Sequence, residues 1–290
     1  MTVSLVTGCS TGIGAAIALR LAREGHTVHA SVRTEASGAP LLAAASDLDL
    51  SLVLMDVDDG DSVAAGIESV IGQSGRVDVL VNNAGIAGGL GAIEEMPIEA
   101  FESVLNTNLL GGVRCIQAVM PGMRERGEGA VVNITSAAGQ KVLAGQGAYA
   151  ASKFAMEAVT EALAAEAMPF GIRVAAVGPG VVATPIFTKP SPVATDPDTP
   201  YPGAARMTDY FMAALNAGPA VPEDVADVVW QALTTDAPLL RYPVGTDAQR
   251  MAVRRAELSD EAWVGAQTVE SDDDWWAFVT DMSGVQPPQR

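Results

Sequence analysis

A chain of 290 residues with 49% hydrophobic and 18% charged residues carries enough apolar material for a parallel sheet buried on both faces, and one doubly wound α/β core commonly takes this much chain. The formal net charge of -18 repels nucleic-acid phosphates and excludes a broad phosphate-tracking surface, while leaving room for a local basic pocket. With Cys9, Cys115, His26 and His29 as the only cysteines and histidines, a disulfide framework or a zinc-activated site is excluded, so no metal is expected and carbonyl polarisation falls to hydroxyls, amides or lysine.

Met1 to Val6 run straight into a strand-like pattern with no basic stretch and long apolar segment, and no apolar run reaches membrane-spanning length. A soluble, cytoplasmic chain with reduced thiols and no membrane partner is the expectation. Short β-branched and aliphatic runs then alternate with Ala-rich segments. The predicted strands are Val3 to Thr7, Thr27 to Val32, Leu50 to Met55, Val77 to Val81, Ala130 to Thr135, Arg173 to Val177 and Leu239 to Tyr242. Between them Gly14 to Glu24, Ser62 to Ile71, Phe101 to Met120 and Tyr149 to Met168 have apolar residues at helical spacing. This alternation predicts βαβ units: a parallel sheet of about seven strands, helices on both faces, ligands beyond the carboxyl ends of the strands.

The first strand is followed at once by T-G-C-S-T-G-I-G, Thr7 to Gly14, and an Ala-rich helix. Here Gly8 suits a tight turn, Gly12 a close approach of backbone to a pyrophosphate, and Gly14 close helix-to-strand packing, with Ser10 and Ile13 beside them. The second strand ends in Arg33 and not in a carboxylate. An arginine fork with Ser10 nearby favours a ribose 2′-phosphate and hence NADP(H); Glu35, two positions on, leaves NAD(H) open. Asp56, after the third strand, is placed to meet an adenine with Val57 against the ring, or equally to form a turn. Asn82 to Gly85 (N-N-A-G) follow the fourth strand, where Asn83, Ala84 and Gly85 combine loop-tying amides with small residues that leave space for a cofactor.

Y-A-A-S-K, Tyr149 to Lys153, opens a predicted helix and puts a phenol and an ammonium group on one face. A phenol with a reference pKa of about 10 is a poor proton donor near neutrality, and a nearby lysine cation brings it closer. Ser136 closes the fifth strand at the same sheet edge, so both hydroxyls can address one carbonyl.

Together these segments, with Asn108 in N-L-L-G, resemble the short-chain dehydrogenase/reductase family over roughly residues 1–185, and among its members the NADP-using hydroxysteroid and retinol dehydrogenases. The resemblance implies a single Rossmann-type domain over residues 1–290 and an oxidoreductase that passes a hydride between a nicotinamide and a carbonyl or alcohol. It implies Tyr149 as general acid or base and Ser136 as the hydroxyl orienting the substrate oxygen. Lys153 would bind nicotinamide-ribose hydroxyls and lower the Tyr149 pKa, and Asn108 would hold a relay water. It implies cofactor contacts at Pro179, Gly180, Val182 and Thr184, and a homodimer or homotetramer. Two positions depart from the pattern: Gly178 stands where many relatives carry Asn, and Thr11 where NADP-dependent members are often basic.

Proline-rich residues 184–222, including Pro190, Pro192, Pro197, Pro200, Pro202 and Pro219, predict an irregular substrate lid. Its Phe187, Tyr201, Met207, Tyr210, Phe211 and Met212 suit an apolar small-molecule ketone or alcohol, or simply a packed helix. Trp263, Trp275 and Trp276, in the extension 246–290, are expected to pin a terminal helix to the body or to another subunit. Two rival functions stay open: net-neutral chemistry on the same scaffold, such as epimerisation or dehydration, and a nucleotide-binding sensor without turnover.

Overall fold

The computed structural model describes residues 1–187 and 198–288. Seven strands form one parallel sheet in the order β3-β2-β1-β4-β5-β6-β7. They are β1 (Val3–Val6), β2 (Thr27–Val32), β3 (Leu50–Leu54), β4 (Val79–Asn82), β5 (Gly129–Ile134), β6 (Ile172–Pro179) and β7 (Arg241–Val244). The order reverses between β1 and β4, which opens a crevice at the carboxyl edge there. The central strands are apolar on both faces because helices cover both, and Leu5, Leu80 and Val131 are fully buried.

On one face lie α1 (Gly12–Arg23), α2 (Glu35–Ala44) and α8 (Pro222–Thr234), packing Ile17, Leu21, Leu41, Val225 and Val229 against the sheet. The other carries α3 (Gly60–Ser74), α5 (Gly111–Arg126) and α6 (Gly147–Ala167), contributing Val63, Ile67, Val119 and Leu163. Local chemistry sets the ends: Asp59 caps α3 through the amides of Asp61 and Ser62, and Gly75 ends it at φ +80°.

One expected helix is two. Residues 101–120 divide into α4 (Ile98–Leu105), a π-helical turn (Asn106–Leu110) and α5. The turn coincides with the inward side chain of Asn108, whose amide is spent on tertiary partners and not on the helix face.

The described part of the predicted lid is helical where irregular chain was expected. Pro202 opens α7 (Pro202–Asn216) instead of breaking it, because a first-turn proline gives up no helical hydrogen bond. Met207 and Tyr210 point inward, while Tyr201 and Met212 are exposed. Pro190, Pro192, Pro197 and the Phe187 side chain lie outside the described residues.

The extension folds as α9 (Thr246–Glu257), α10 (Asp260–Gly265) and α11 (Asp272–Ser283). Trp263 and Trp275 are buried in a third apolar cluster with Leu143, Val181, Met207, Tyr210 and Met251, so the rings pin the extension to its own chain. Among the described residues no helix is long and apolar enough to cross a membrane.

Candidate active site

Every expected site residue falls at the carboxyl edge of the sheet, in the segments that leave β1 to β6. Gly8 (φ +71°) and Gly12 (φ +63°) make the turn after β1, a backbone region that other residues enter only with strain. A Cβ on Gly8 would lie 2.8 Å from the Ala84 Cα, and one on Gly14 would lie 2.4 Å from the Asn83 amide and 2.5 Å from the Gly8 carbonyl. The sequence reads Gly14 as a helix-to-strand contact; the structure makes it a contact of α1 with the glycine turn itself and with the loop after β4.

Thr7 and Asn83 lace these segments together. The Thr7 hydroxyl accepts from the backbone amides of Asn83 (2.9 Å) and Ala84 (3.0 Å), and the Asn83 side chain donates to the Thr7 carbonyl at 2.8 Å. A Cβ on Gly12 would meet Thr184 at 3.4 Å, so the chain after β6 lies over the turn. Val182 bridges to Ala220 behind it. Thr11 at the start of α1 makes no side-chain cap, so the first-turn N–H groups are left for an outside acceptor.

Farther along the edge Arg33 is exposed and forms no ion pair or hydrogen bond among the described residues. Glu35 is the first residue of α2. Asp56 serves a turn: its carboxylate accepts from the Asp58 amide at 3.1 Å, its own amide donates to Ser62 at 2.9 Å, and Asp59 is the helix cap. Val57 is buried where a Cβ on Gly111 would approach within 2.8 Å. Glycine cradle, uncapped amides and a free guanidinium suit the phosphates of a dinucleotide. Such a group would bring the hydride-carrying chemistry that no side chain can provide.

At the other end of the crevice, Ser136 leaves β5 and caps a short 3-10 turn. Its Oγ accepts from the Ala138 amide at 3.1 Å and donates to the Pro179 carbonyl at 3.4 Å, and the hydroxyl bears on the titration of the Tyr149 phenol. Lys153 is buried below, its Nζ donating to the Ile134 carbonyl at 3.0 Å and standing 5.7 Å from the Tyr149 ring centroid.

Burial pushes the Tyr149 phenol above its ordinary value, and the Ser136 hydrogen bond works against that rise. The net shift is upward. The Lys153 ammonium is pushed down to about 8 by burial, with the Glu157 carboxylate pulling it back up. Asn108 accepts from the Ile86 amide (2.8 Å) and donates to the Ile86 carbonyl (2.9 Å) and the Ser152 hydroxyl (3.0 Å), fixing the loop after β4 to α6.

Glu157 goes unnoticed in the sequence reading although it continues the Tyr149–Lys153 face by one more helical turn. It is buried, and one oxygen accepts from Arg241 at 2.8 Å. Ser152 is also missed: fully buried, it donates to the Tyr149 carbonyl at 2.7 Å. Gly178, where an asparagine is common, has little room, since a Cβ there would meet the Thr135 hydroxyl at 3.3 Å.

This arrangement of glycine turn, laced loop and paired hydroxyls is matched by known proteins. Residues 2–192 match the short chain dehydrogenase family. The chain is 38% identical over 258 residues to 17-beta-hydroxysteroid dehydrogenase type 1 of Homo sapiens, covering 83% of this chain and 76% of that protein. It is 35% identical over 261 residues to retinol dehydrogenase 8 of Bos taurus, covering 83% and 81%. Among solved structures, a short-chain dehydrogenase from Streptomyces avermitilis superposes with a TM-score of 0.78 at 37% identity, covering 92% of this chain and 98% of the other. A glycine turn and a Ser–Tyr–Lys cluster on one sheet edge, in a chain matched this extensively, make the protein a member of the short-chain dehydrogenase family, a hydride-transfer oxidoreductase acting on CH–OH groups and ketones.

Proposed function

We propose that this protein interconverts an apolar ketone and its secondary alcohol with NADP(H) as redox partner, in the cytoplasm. The convergence of the Ser136 and Tyr149 hydroxyls beside the glycine cradle carries this reading. Ser136 orients the substrate oxygen by hydrogen bonding. Tyr149 delivers its phenolic proton to that oxygen in reduction and removes it in oxidation. Lys153 holds the nicotinamide-ribose hydroxyls and, while charged, favours proton loss from Tyr149. Asn108 anchors the loop that flanks them and supports the relay water.

Pro179, Gly180, Val182 and Thr184 face the nicotinamide end, Gly8 to Gly14 with Ser10 and Ile13 the pyrophosphate, and Asp56 and Val57 the adenine. The preference for NADP(H) is supported by Arg33, exposed, unpaired and well placed for a 2′-phosphate. An apolar substrate is supported by Leu143, Val181 and Met207, which the segment between Ser136 and Tyr149, the segment after β6 and α7 bring into one apolar cluster. The names of the hydroxysteroid and retinol dehydrogenase relatives point the same way. Exposed Ile98, Leu110 and Phe154 support a homodimer or homotetramer.

The test is a panel of apolar ketones and secondary alcohols run with both nucleotides in both redox states, on wild type and Arg33→Ala. NADPH turnover exceeding NADH turnover in the wild type, with NADPH affinity falling about tenfold or more in the variant and NADH affinity little changed, is expected. A larger loss for NADH assigns Glu35 and NAD(H) instead.

A further inference from the structure

The first turn of α9 grips both segments that carry the reacting end of the crevice. Strand β7 pairs with β6 as far as Pro179 and Val244, and the Gly180 amide then donates to the Val244 carbonyl at 2.9 Å. There β7 stops. The chain turns at Gly245 (φ +93°) into α9, and the ladder continues by a side chain: the Val181 amide donates to Asp247 Oδ2 at 2.8 Å, while Oδ1 accepts from the Ala248 amide at 2.8 Å.

The carboxylate occupies the place of a side chain on Gly180, where a Cβ would lie 2.1 Å from Oδ1 and 2.2 Å from Oδ2. From the other side comes Lys141, on the segment between Ser136 and Tyr149. It is 4% exposed, and its Nζ reaches the Ala248 carbonyl at 3.4 Å. Burial pushes its ammonium down to about 8, and Asp247 is the charge that pulls it back up. Burial and the same carboxylate push the Tyr210 phenol up, and Arg250 lines with Asp247 an adjoining cavity of about 210 Å³.

We infer that Asp247, with Lys141 holding the adjoining Ala248 carbonyl, is a positioning residue: it sets the distance between the Gly180–Val181 backbone and the segment carrying Ser136, and so the seat of the nicotinamide relative to the proton-transfer hydroxyls. This rests on the nicotinamide end lying at residues 179–184, as proposed above. A charge-assisted hydrogen bond to a backbone amide is strong, and misplacing a reacting group by a fraction of its contact distance is costly. The adenine half of the cradle, held by Thr7 and Asn83, shares none of these contacts.

The test compares whole dinucleotides with fragments that lack nicotinamide, by calorimetry on full-length protein: NADP⁺ against 2′-phospho-ADP-ribose, and NAD⁺ against ADP-ribose. For Asp247→Ala the dinucleotide affinity is expected to fall about tenfold or more while the fragment affinity stays within about twofold, and kcat falls with it. Asp247→Asn keeps the size and one acceptor, so a smaller selective loss is expected; it carries the comparison alone if the alanine variant does not fold. Lys141→Met should lose in the same direction. Parallel loss of dinucleotide and fragment would mark a structural role and overturn the inference, as would unchanged affinity for both with unchanged kcat. Wild-type protein that binds neither dinucleotide overturns the proposed function and this inference together; wild type that binds normally beside an indifferent Asp247→Ala overturns the inference alone.

Discussion

The glycine-turn end and the C-terminal part of this molecule are shaped by opposite means. Around β1, β2 and β4 the surface is backbone, shaped by residues that lack side chains: Gly8, Gly12 and Gly14 open space, and Thr7 and Asn83 tie two loops with short hydrogen bonds. After β7 the surface is held by large side chains reaching across the chain. Trp263 donates its indole N–H to the Val142 carbonyl at 2.9 Å, Gln267 accepts from the Ala144 amide at 2.8 Å, and Trp275 fills the cluster beneath Val181 and Leu143. One end is shaped by exclusion of atoms and the other is stabilised by burial of them, so mutations should separate the two.

The sharpest separation is between Trp275→Ala and Gly14→Ala. Trp275 is 2% exposed, and removing a buried indole costs about 3–5 kcal/mol; chemical denaturation should show that loss, with the folded fraction still binding nucleotide. At Gly14 a methyl group meets a backbone carbonyl and the Asn83 amide, neither of which moves cheaply. Overpacking there should cost about 1–3 kcal/mol but abolish nucleotide binding by splaying the turn. Equal effects on stability and binding in both variants would erase the distinction.

A smaller effect should appear in the pH profile. The Lys153 ammonium, pushed down to about 8, is charged below that pH and loses its proton as pH rises through it, whereas the Tyr149 phenol, pushed up, stays protonated over the same range. The reduction rate should therefore be level at lower pH and fall from about pH 8 upward. Glu157→Gln removes the carboxylate that holds the ammonium's pKa up, so the falling limb should move to lower pH; a limb that stays or moves higher contradicts the role given to Glu157.

The same contrast governs what can be read from sequence. Seven strands are legible within a residue or two, as with Val3 to Thr7 against the observed Val3–Val6, because a strand buried on both faces is a local run of β-branched and aliphatic residues. The glycine turn, Ser136, Tyr149 and Lys153 are legible as residues of one sheet edge because each stands in a short contiguous motif beside a strand or a helix start. Lys141 and Asp247 are not: their relation spans more than a hundred residues and depends on where β7 stops. The break at Asn106–Leu110 is invisible for a similar reason, since Asn108 turns inward only when Ile86 and Ser152 are there to receive it. Pro202 misleads locally, because a proline that ends one helix pattern also begins another. Glu157 is within reach, one helical turn beyond Lys153, and calls only for following the Tyr149–Lys153 face farther.

The central claim is that one phenol moves the proton beside a bound dinucleotide. It is tested most directly by following reduced-nicotinamide absorbance in single turnovers of wild type and Tyr149→Phe, with a carbonyl substrate found in the panel and nucleotide affinity measured on both proteins. Intact nucleotide binding and a rate lower by about 10²–10⁴-fold are expected in the variant. Equal rates in the two proteins, with both nucleotide and substrate bound, would contradict it.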